Sequence, residues 1–505
     1  MHKSFPPPMP AATVTPDDNR YVHLTSRGVN PRFRGSPEYV RVVGSTEQVV
    51  DTVSEAVRDG KRIAVRSGGH GFENFIDNPE VQVVVDMSGM TNVYFDERHK
   101  AFAVEPGITL GEAYRRLYLG WGVTMPAGIC VDVGVGGHIL GGGYGPLSRL
   151  HGLVVDHLYG VEVVVVDASG HAKAIVATRD ESDPNRELWW AHTGGGGGNF
   201  GIVTRYLLRS PGVDSHDAAD LLPKAPKMSL GFSLTWSWEN LDRPSFERLL
   251  RNHGEWHENN SAPDSPYIGL NSLLMAFERQ VGHVQLAGQI IADDEGAPGR
   301  LEDYIGAVTD GVSAPFQRVG GMAPWLDATL SVPVAEVNAQ TRTKTKSGYM
   351  RKRFSDEQIA VIYDNLSGGR KDGAGMLWQF SYGGKVGAAS PTETACAQRD
   401  SILKAVFIGG WMDPSVDDSN LEWLRRFYRE VYAESGGVPA SNDRTDGCFI
   451  NYADVDLVDP DLNGSGIPWH RLYYKDNYPR LQQAKARWDP RDVFRHGLGI
   501  RPADG

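Results

Sequence analysis

The residues with the clearest chemical potential stand in the stretch RSGGHGF, residues 66–72, where His70 directly follows two glycines. The stretch lies at the end of KRIAVRS, residues 61–67, a run with the composition of a β-strand. Glycine permits positive φ angles and lets the backbone approach a ligand closely. An imidazole adds a nucleophilic nitrogen that most anion-binding loops do not need. His70 is therefore either an incidental loop residue or a group that acts on the ligand.

Three glycine-dense loops end near Gly71, Gly145 and Gly201. The last contains five consecutive glycines, residues 194–198, which would be unfavourable in any regular element. The series at residues 134–145 is a poor match for a dinucleotide-binding turn, because several overlapping GxGG and GGG frames compete in the middle of the chain. We expect instead one long ligand whose pyrophosphate and ring system are enveloped by backbone NH groups. The alternative is that these are ordinary surface loops.

The composition restricts the classes of partner. The chain has 505 residues, a net charge of −12 and an isoelectric point near 5.7, so nucleic acids and anionic membranes would be repelled. We expect a small or neutral partner. No apolar run approaches the roughly 18 residues of a membrane span, and the N-terminal stretch lacks the apolar core of a secretory signal, so we expect a cytoplasmic protein. The three cysteines are too few and too scattered for a disulfide framework or a zinc site, and we expect no metal.

The elements that must position the glycine loops are predicted from periodicity. The first ~20 residues are Pro-rich and polar, which is typical of a loosely ordered arm. STEQ at residues 45–48 has the form of a capping box and begins a helix that ends at Gly60. Strands are predicted for KRIAVRS and VQVVVDMSGM on either side of the His70 loop, which indicates a βαβ element. Further strands are predicted in KAFAVEPG and YGVEVVVVDASG, with a helix over TLGEAYRRLYLGW.

After about Ser210 the pattern changes. MSLGFSLTWSW, HVQLAGQII and GMLWQFSYGGKVG are typical of antiparallel strands with one exposed face. SFERLLRNHGEWHE and NLEWLRRFYREVYAES are amphipathic and predict helices that pack on such a sheet. Near the end, HRLYYKDNYPRLQQAKARWDPRDVF predicts a helix that ends at Asp489 and Pro490. These patterns indicate a second domain over residues 211–446.

The motifs RSGGHGF, PAGICVDVGVGGHILGGGYG, GGGGGNFGIVT, INYAD and WDPRDVF occur in one order along the chain. In that order they resemble the berberine-bridge-enzyme-like branch of the vanillyl-alcohol-oxidase flavoproteins, over residues 36–210 and 447–500. The resemblance implies an α+β, two-domain FAD-binding fold of the PCMH type. It implies an FAD-binding domain of two α+β subdomains over residues 1–210, completed by residues 447–505. The substrate domain between them is expected to be an antiparallel sheet flanked by helices.

The resemblance also implies a bicovalent cofactor, with His70 joined to the 8α-methyl of FAD and Cys130 to carbon 6 of its ring. Imidazole and thiolate are nucleophiles able to add to an electron-poor flavin. Taken singly, His70 is also typical of a polar loop histidine, and Cys130 of a buried small hydrophobe. Val133 matches the position that governs oxygen access in this family, although a core valine is equally plausible. The other positions that match its cofactor-binding motifs are Arg66, Ser67, Gly68, Gly69, Gly71, Gly134, Gly136, Gly137, His138, Gly142, Gly201, Ile202, Val203 and Asn451.

Oxidising an alcohol by hydride transfer to flavin requires a base that removes the hydroxyl proton. Tyr452 matches the family's active-site tyrosine, and Tyr144 is the neighbour expected to stabilise its phenolate. A free tyrosine has a pKa of ~10, so such a base needs a perturbing neighbour. Apart from the resemblance, both tyrosines are typical of packing residues with a satisfied hydroxyl. For substrate binding we expect Tyr349, Trp378, Gln379 and Tyr382, whose alternative is packing in a sheet core.

Within this branch the chain resembles the antibiotic-tailoring oxidases of actinobacteria, above all those that oxidise a hexose on glycopeptides of the teicoplanin type. This implies oxygen-dependent oxidation of the primary alcohol at carbon 6 of an acyl-glucosamine, through aldehyde and hydrate, to the carboxylate. The alternatives are oxidation of another sugar or alcohol to a ketone, an oxidative ring closure, or a protein that binds flavin and antibiotic without turnover. The glycan, its acyl group and the oligomeric state stay open.

Overall fold

The computed structural model describes residues 9–331 and 340–503 and arranges them around three β-sheets. Two smaller sheets are formed within residues 12–208, and a larger one within residues 228–411. Helices lie beside these sheets rather than alternating regularly with parallel strands. The predicted α+β class is confirmed.

The first sheet has four strands in the spatial order β1-β2-β4-β3. Their bounds are β1 (Ala12–Val14), β2 (Tyr39–Val42), β3 (Ile63–Arg66) and β4 (Val83–Asp86). β1 is antiparallel to β2, whereas β2 and β3 both run parallel to β4. The prediction of a loose arm over the first ~20 residues is wrong for β1, because its backbone groups are satisfied by the edge of this sheet. Residues 1–8 of the predicted arm lie outside the described residues.

The second sheet has five antiparallel strands in the order β5-β6-β9-β7-β8. Their bounds are β5 (Val93–Asp96), β6 (Ala101–Val104), β7 (Leu158–Val166), β8 (Ala172–Thr178) and β9 (Ile202–Leu208). β9 begins directly after the five-glycine turn, and β3 ends where the His70 loop starts. Both glycine loops are therefore anchored at strand ends.

The third sheet has seven antiparallel strands in the order β13-β10-β12-β11-β15-β16-β14. Their bounds are β10 (Met228–Ser237), β11 (Leu270–Phe277), β12 (His283–Ile291), β13 (Gln317–Pro324), β14 (Arg342–Met350), β15 (Ala374–Ser381) and β16 (Leu403–Trp411). The predicted strands around residues 228, 283 and 374 are β10, β12 and β15. Because side chains alternate along a strand, every second residue of this sheet faces the same way.

Thirteen α-helices occur in the described part of the chain. They are α1 (Arg20–Thr25), α2 (Thr46–Arg58), α3 (Leu110–Trp121), α4 (Val135–Leu140), α5 (Ser148–His151), α6 (Arg186–Ala191), α7 (Arg243–Asn260), α8 (Ala297–Thr309), α9 (Trp325–Leu330), α10 (Asp356–Ser367), α11 (Asp417–Val431), α12 (Trp469–Tyr474) and α13 (Tyr478–Trp488). None of them is both long and apolar enough to cross a membrane.

The helix predicted from STEQ is α2, which connects the parallel strands β2 and β3. Ser45 is its N-cap, and its side chain accepts a hydrogen bond from the backbone NH of Gln48. The Gln48 side chain closes the motif one residue earlier than expected, since it accepts from the NH of Gly44. Val49 and Val53 then lie on the buried face of the helix and pack against the first sheet.

The single helix predicted near the C-terminus is wrong in one respect, because it is divided into α12 and α13. Lys475 interrupts it with a φ of +50°, a left-handed conformation that a helix cannot contain. Its ammonium lies 2.7 Å from a carboxylate oxygen of Asp446, which fixes the break in place. The predicted end is confirmed, since α13 stops at Trp488 with Asp489 as its C-cap.

The main apolar core is continuous from the second sheet to the third. It includes the fully buried Trp190, Trp236 and Trp325, which come from distant parts of the chain. A smaller core lies between α2, the first sheet and the ends of β7 and β9. The loops between these sheets are therefore anchored to well-packed structure.

Candidate functional site

A cavity of about 880 Å³ lies between the glycine loops and one face of the third sheet. Its walls come mainly from five loop-bearing segments and four strands: residues 63–77, 128–138, 196–203, 449–453 and 494–496, together with β11, β14, β15 and β16. The glycine loops thus line an interior space, and the alternative that they are ordinary surface loops is wrong. A cavity of this size is in the range of large cofactor sites.

The loops that carry His70 and Cys130 meet through glycine. A Cβ added to Gly68 would lie 2.3 Å from the backbone N of Gly134, so the two backbones are in direct contact. Gly69 has a φ of +81°, which favours glycine and turns the chain towards the cavity. His70 and Cys130 both line the resulting wall. Glycine is needed here because the two loops pack together, as well as for access to a ligand.

Burial sets the protonation of the two nucleophiles in opposite directions. It lowers the pKa of His70, so the imidazole is neutral and carries a free nitrogen lone pair at neutral pH. Burial, together with the nearby charge of Asp132, raises the pKa of the Cys130 thiol to about 11. The Cys130 thiol is therefore protonated at neutral pH, and only its thiolate form would be strongly nucleophilic.

Two tyrosines separated by 308 residues meet at the cavity wall. The hydroxyl oxygens of Tyr144 and Tyr452 lie 2.8 Å apart and share a hydrogen bond. Tyr452 follows a tight turn in which its backbone NH donates to the carbonyl of Phe449. Burial raises the pKa of both phenols above the ordinary value, and for Tyr144 the proximity of Tyr452 adds to this. The pair therefore holds its protons at neutral pH until a positive charge or a substrate changes the balance.

A buried lysine that sequence reasoning missed lies behind this pair. The Lys404 ammonium is 3.2 Å from the ring centre of Tyr144 and 3.6 Å from that of Phe449. Two further rings lie within 5 Å, those of Tyr349 and Tyr382, and the ammonium has no hydrogen-bond partner among the described residues. We call these four rings and Lys404 the aromatic cage.

Two effects oppose each other in the aromatic cage. Burial lowers the pKa of Lys404 well below its ordinary value, whereas the negative ring faces favour the ammonium form. A negative charge on either hydroxyl of the tyrosine pair would shift the balance to the ammonium. The sequence signal for this residue was available, since one lysine interrupts the apolar strand ILKAVFIGGW.

His138 and Asn451 hold the loops of the cavity together. Nε2 of His138 accepts a hydrogen bond of 3.1 Å from the backbone NH of Gly128, two residues before Cys130. Burial and the charge of Lys404 lower the pKa of His138 to about 4, which keeps it neutral and able to accept. The Asn451 side chain donates to the carbonyls of Gly137 and His138. The Tyr452 loop and the Cys130 loop are thus joined through α4.

The opposite wall is the inner face of the third sheet. Its polar groups are the hydroxyls of Thr343 and Thr345 and the indole NH of Trp378, which are buried and have no protein partner among the described residues. Buried polar groups are rarely left unpaired, so these atoms indicate a ligand with hydrogen-bonding groups. Around them lie the apolar side chains Leu273, Phe380, Val406 and Ile408. This wall suits a ligand with both polar and apolar surface.

Most of the predicted site residues are brought together by the fold. Nineteen of them line the cavity: Arg66, Ser67, Gly68, Gly69, His70, Gly71, Cys130, Val133, Gly134, Gly136, Gly137, His138, Tyr144, Gly201, Ile202, Val203, Trp378, Asn451 and Tyr452. The remaining four, Gly142, Tyr349, Gln379 and Tyr382, do not.

Each of the four lies elsewhere for a physical reason. Gly142 has a φ of +116° and faces Cys396, since an added Cβ would lie 2.5 Å from that thiol. Gln379 points to the far side of the sheet because the residues before and after it face the cavity. Tyr349 and Tyr382 are buried in the aromatic cage behind Tyr144. Tyr349, Gln379 and Tyr382 were expected to bind substrate, but none of them lies in the cavity wall.

The residues that are present fit FAD. Gly71 and Gly137 line the cavity, and a Cβ added to either would meet no protein atom within 4 Å. Their open faces leave room for a flat or extended ligand against the backbone. The Gly196–Gly198 turn forms another part of the same wall, with positive φ at Gly196 and Gly198. Successive backbone NH groups in such turns are typical partners of a pyrophosphate.

Comparisons with known proteins agree with this site. The family described as “FAD binding domain” matches residues 37–173, and the family described as “Berberine and berberine like” matches residues 448–501. The chain is 55% identical to an aclacinomycin-N/aclacinomycin-A oxidase of Streptomyces galilaeus over 96% of this chain and 89% of that protein. It is 31% identical to a hexose oxidase of Chondrus crispus over 94% and 92% of the two chains.

One solved structure is that of glycopeptide hexose oxidase DBV29 complexed with teicoplanin. It superposes with a TM-score of 0.95 at 50% identity, covering 99% of this chain and all of the other. The predicted two-domain FAD-binding fold of the PCMH type is confirmed. The family matches, the identities and the FAD-shaped cavity lead to one conclusion: this chain belongs to the berberine-bridge-enzyme-like FAD oxidases.

Proposed function

We propose that the protein oxidises an alcohol of a sugar carried on an antibiotic scaffold, using bicovalently bound FAD and molecular oxygen. The observation that carries this proposal is the Tyr144–Tyr452 hydroxyl pair, 2.8 Å apart, in the same cavity as His70 and Cys130. The shared cavity supports a role for the tyrosine pair as proton acceptor and for His70 and Cys130 as the flavin-linking nucleophiles. Residues 1–210 and 447–505 serve FAD, and residues 211–446 serve the substrate.

His70 and Cys130 would hold FAD through the 8α-methyl and carbon 6, and the glycine loops would contact its phosphates. When bound, FAD supplies a two-electron acceptor that takes hydride from the alcohol carbon and is reoxidised by oxygen with release of hydrogen peroxide. Val133 lines the same cavity as these attachment residues, which supports its proposed influence on oxygen access.

The chain's own part in the chemistry is to move the hydroxyl proton. Tyr452 first loses its own proton to solvent and then, as the phenolate, accepts the hydroxyl proton of the substrate. Tyr144 stabilises the phenolate charge by donating a hydrogen bond to the Tyr452 oxygen. Lys404, above the Tyr144 ring, offsets that charge across the aromatic cage. This arrangement supplies the positive neighbour that a tyrosine base requires, because burial alone raises the pKa of Tyr452.

The inner face of the third sheet supports a glycoside as the substrate. Sugar hydroxyls would pair with the free Thr343 and Thr345 hydroxyls and accept from the Trp378 indole, while the apolar side chains contact the acyl group or the scaffold. Of the four residues first expected to bind substrate, only Trp378 is retained in that role.

For the exact substrate we propose the acyl-glucosamine of a glycopeptide, oxidised at carbon 6 through aldehyde and hydrate to the carboxylate. The similarity to glycopeptide hexose oxidase DBV29, at 50% identity, supports this choice. A second candidate is oxidation of a secondary hydroxyl group of a sugar to a ketone, which is favoured by the 55% identity to the aclacinomycin oxidase. Both reactions use the same base and the same cavity.

The test is to incubate the purified protein with a glycopeptide bearing an acyl-glucosamine and, separately, with an aclacinomycin. Hydrogen peroxide and product mass are measured. A gain of one oxygen with loss of two hydrogens identifies oxidation to the acid, and a loss of two hydrogens alone identifies oxidation to the ketone. A flavin-containing protein that consumes no oxygen with either compound would contradict the proposal and favour a binding protein.

A further inference from the structure

A buried cluster of six charges lies beside the cavity, outside the proposed chemistry. It contains Lys344 and Lys346 of β14, Arg425 of α11, and the carboxylates of Glu73, Asp454 and Asp456. Five of these side chains are at most 4% exposed, and Arg425 is 30% exposed. Three positive charges face three negative charges, so the cluster is neutral as a whole. We call it the ion cluster.

The ion cluster joins the three segments that build the site. Glu73 lies three residues after His70, and Asp454 lies two residues after Tyr452. The Lys344 ammonium contacts both, at 2.5 Å from Glu73 and 2.8 Å from Asp454. Lys344 itself stands between Thr343 and Thr345, whose side chains face the cavity. One ammonium therefore connects the flavin-linking loop, the tyrosine loop and the substrate sheet.

A second set of contacts, made by Asn30, also connects the His70 loop to β14. The Asn30 amide donates to the carbonyls of Phe72 and Thr343, and its oxygen accepts from the NH of Thr343. The backbone after His70 and the backbone before Lys344 are thus held at a fixed separation. Among the described residues the Cys130 loop makes no direct ion pair with the ion cluster, and its backbone pairs instead with α3 at Leu110 and Gly111.

We propose that Lys344 is a positioning residue that sets the His70 loop against the Tyr452 loop, so that His70 can bond to FAD. This inference rests on the proposed function, which includes the covalent flavin. The bond joins a ring nitrogen of His70 to the 8α carbon. One proton leaves the methyl and one leaves the imidazole. The electron pair of the broken C–H bond reduces the flavin ring, and oxygen reoxidises the ring with release of hydrogen peroxide.

Lys346 is a matched control for Lys344. It is a lysine on the same strand and the same face, is equally buried, and contacts Asp454 and Asp456. It has no ion pair with Glu73, so it does not reach the His70 loop. Lys344→Met and Lys346→Met therefore both remove one buried ammonium, and only the first cuts the tie to the loop.

The experiment places both substitutions in two single-link backgrounds. In Cys130→Ala, flavin can be attached only through His70, and in His70→Ala only through Cys130. Acid-precipitated protein is assayed for covalent flavin, and the flavin-bearing peptide is mapped by mass spectrometry. We expect Lys344→Met to slow attachment at least about tenfold in the Cys130→Ala background, because a small misplacement of reacting groups costs rate steeply. Attachment in the His70→Ala background should be unchanged, and Lys346→Met should leave the His70 bond intact.

A folding defect is separated by the double variant Glu73→Gln/Lys344→Met, which leaves no unpaired Glu73 charge and still lacks the tie. It should fold and also attach flavin slowly at His70. Attachment at the wild-type rate in this double variant, or an equal loss in Lys346→Met, would overturn the inference while the proposed function stands. A wild-type protein without flavin on His70 would overturn both.

Discussion

The role of Lys404 gives the sharpest test of how the tyrosine pair works. Lys404→Met replaces a buried ammonium by an apolar side chain of similar length, and the four rings of the aromatic cage stay in place. Since the ammonium has no hydrogen-bond partner among the described residues, its removal leaves no protein group newly unpaired. We expect the melting temperature to be unchanged or raised, because a buried amino group without a hydrogen-bond partner is unfavourable in either protonation state.

The magnitude follows from the geometry. The ammonium lies 3.2 Å above the centre of the Tyr144 ring. The two phenol oxygens are then about 4–7 Å from it, and at an effective dielectric constant of about 20 a unit charge contributes roughly 2–4 kcal/mol to a phenolate at that distance. This corresponds to a rate effect of roughly 30- to 900-fold. Loss of the same energy in Lys404→Met should raise the apparent pKa of the tyrosine pair by roughly 1.5–3.

The assay is anaerobic stopped-flow reduction of the bound flavin by substrate, measured across pH. Reduction in Lys404→Met should be slower by the factor above at neutral pH and should recover at higher pH, where Tyr452 loses its proton without help. Flavin content and melting temperature are measured on the same preparation as controls. Reduction rates within about twofold of the wild type at every pH would refute the electrostatic role of Lys404.

Three other predictions test the site. Tyr452→Phe should lower turnover by roughly 10²–10⁴ while the covalent flavin stays, as measured by steady-state oxygen consumption and by flavin content after acid precipitation; unchanged turnover would remove Tyr452 as the base. Cys130→Ala should keep the His70 bond and slow flavin reduction, and a protein that loses all covalent flavin would contradict two independent links. Thr345→Val should raise KM roughly 2- to 12-fold with little change in kcat, because one hydrogen bond to the sugar is lost; an unchanged KM would exclude that contact.

Local sequence patterns were sufficient to predict the secondary structure where a segment determines its own conformation. The cap at Ser45, the apolar face of α2 and the strands on either side of the His70 loop follow from residue types within a few positions of one another. The structure differs from these predictions where contacts with distant residues determine the conformation. The interruption at Lys475 depends on Asp446, 29 positions away, and β1 exists because β2 offers it an edge.

Residue types and motifs were enough to predict the groups of the proposed chemistry, which are two nucleophiles in glycine loops and a tyrosine in INYAD. The tertiary structure alone decided which side chains meet. Tyr144 and Tyr452 are neighbours across 308 residues, and strand alternation turned Gln379 away from the cavity while it kept Trp378 in the wall. The register of β16 in the third sheet set Lys404 behind the tyrosine pair, because only the packing of the sheet against the loops defines which groups share a buried, low-dielectric space.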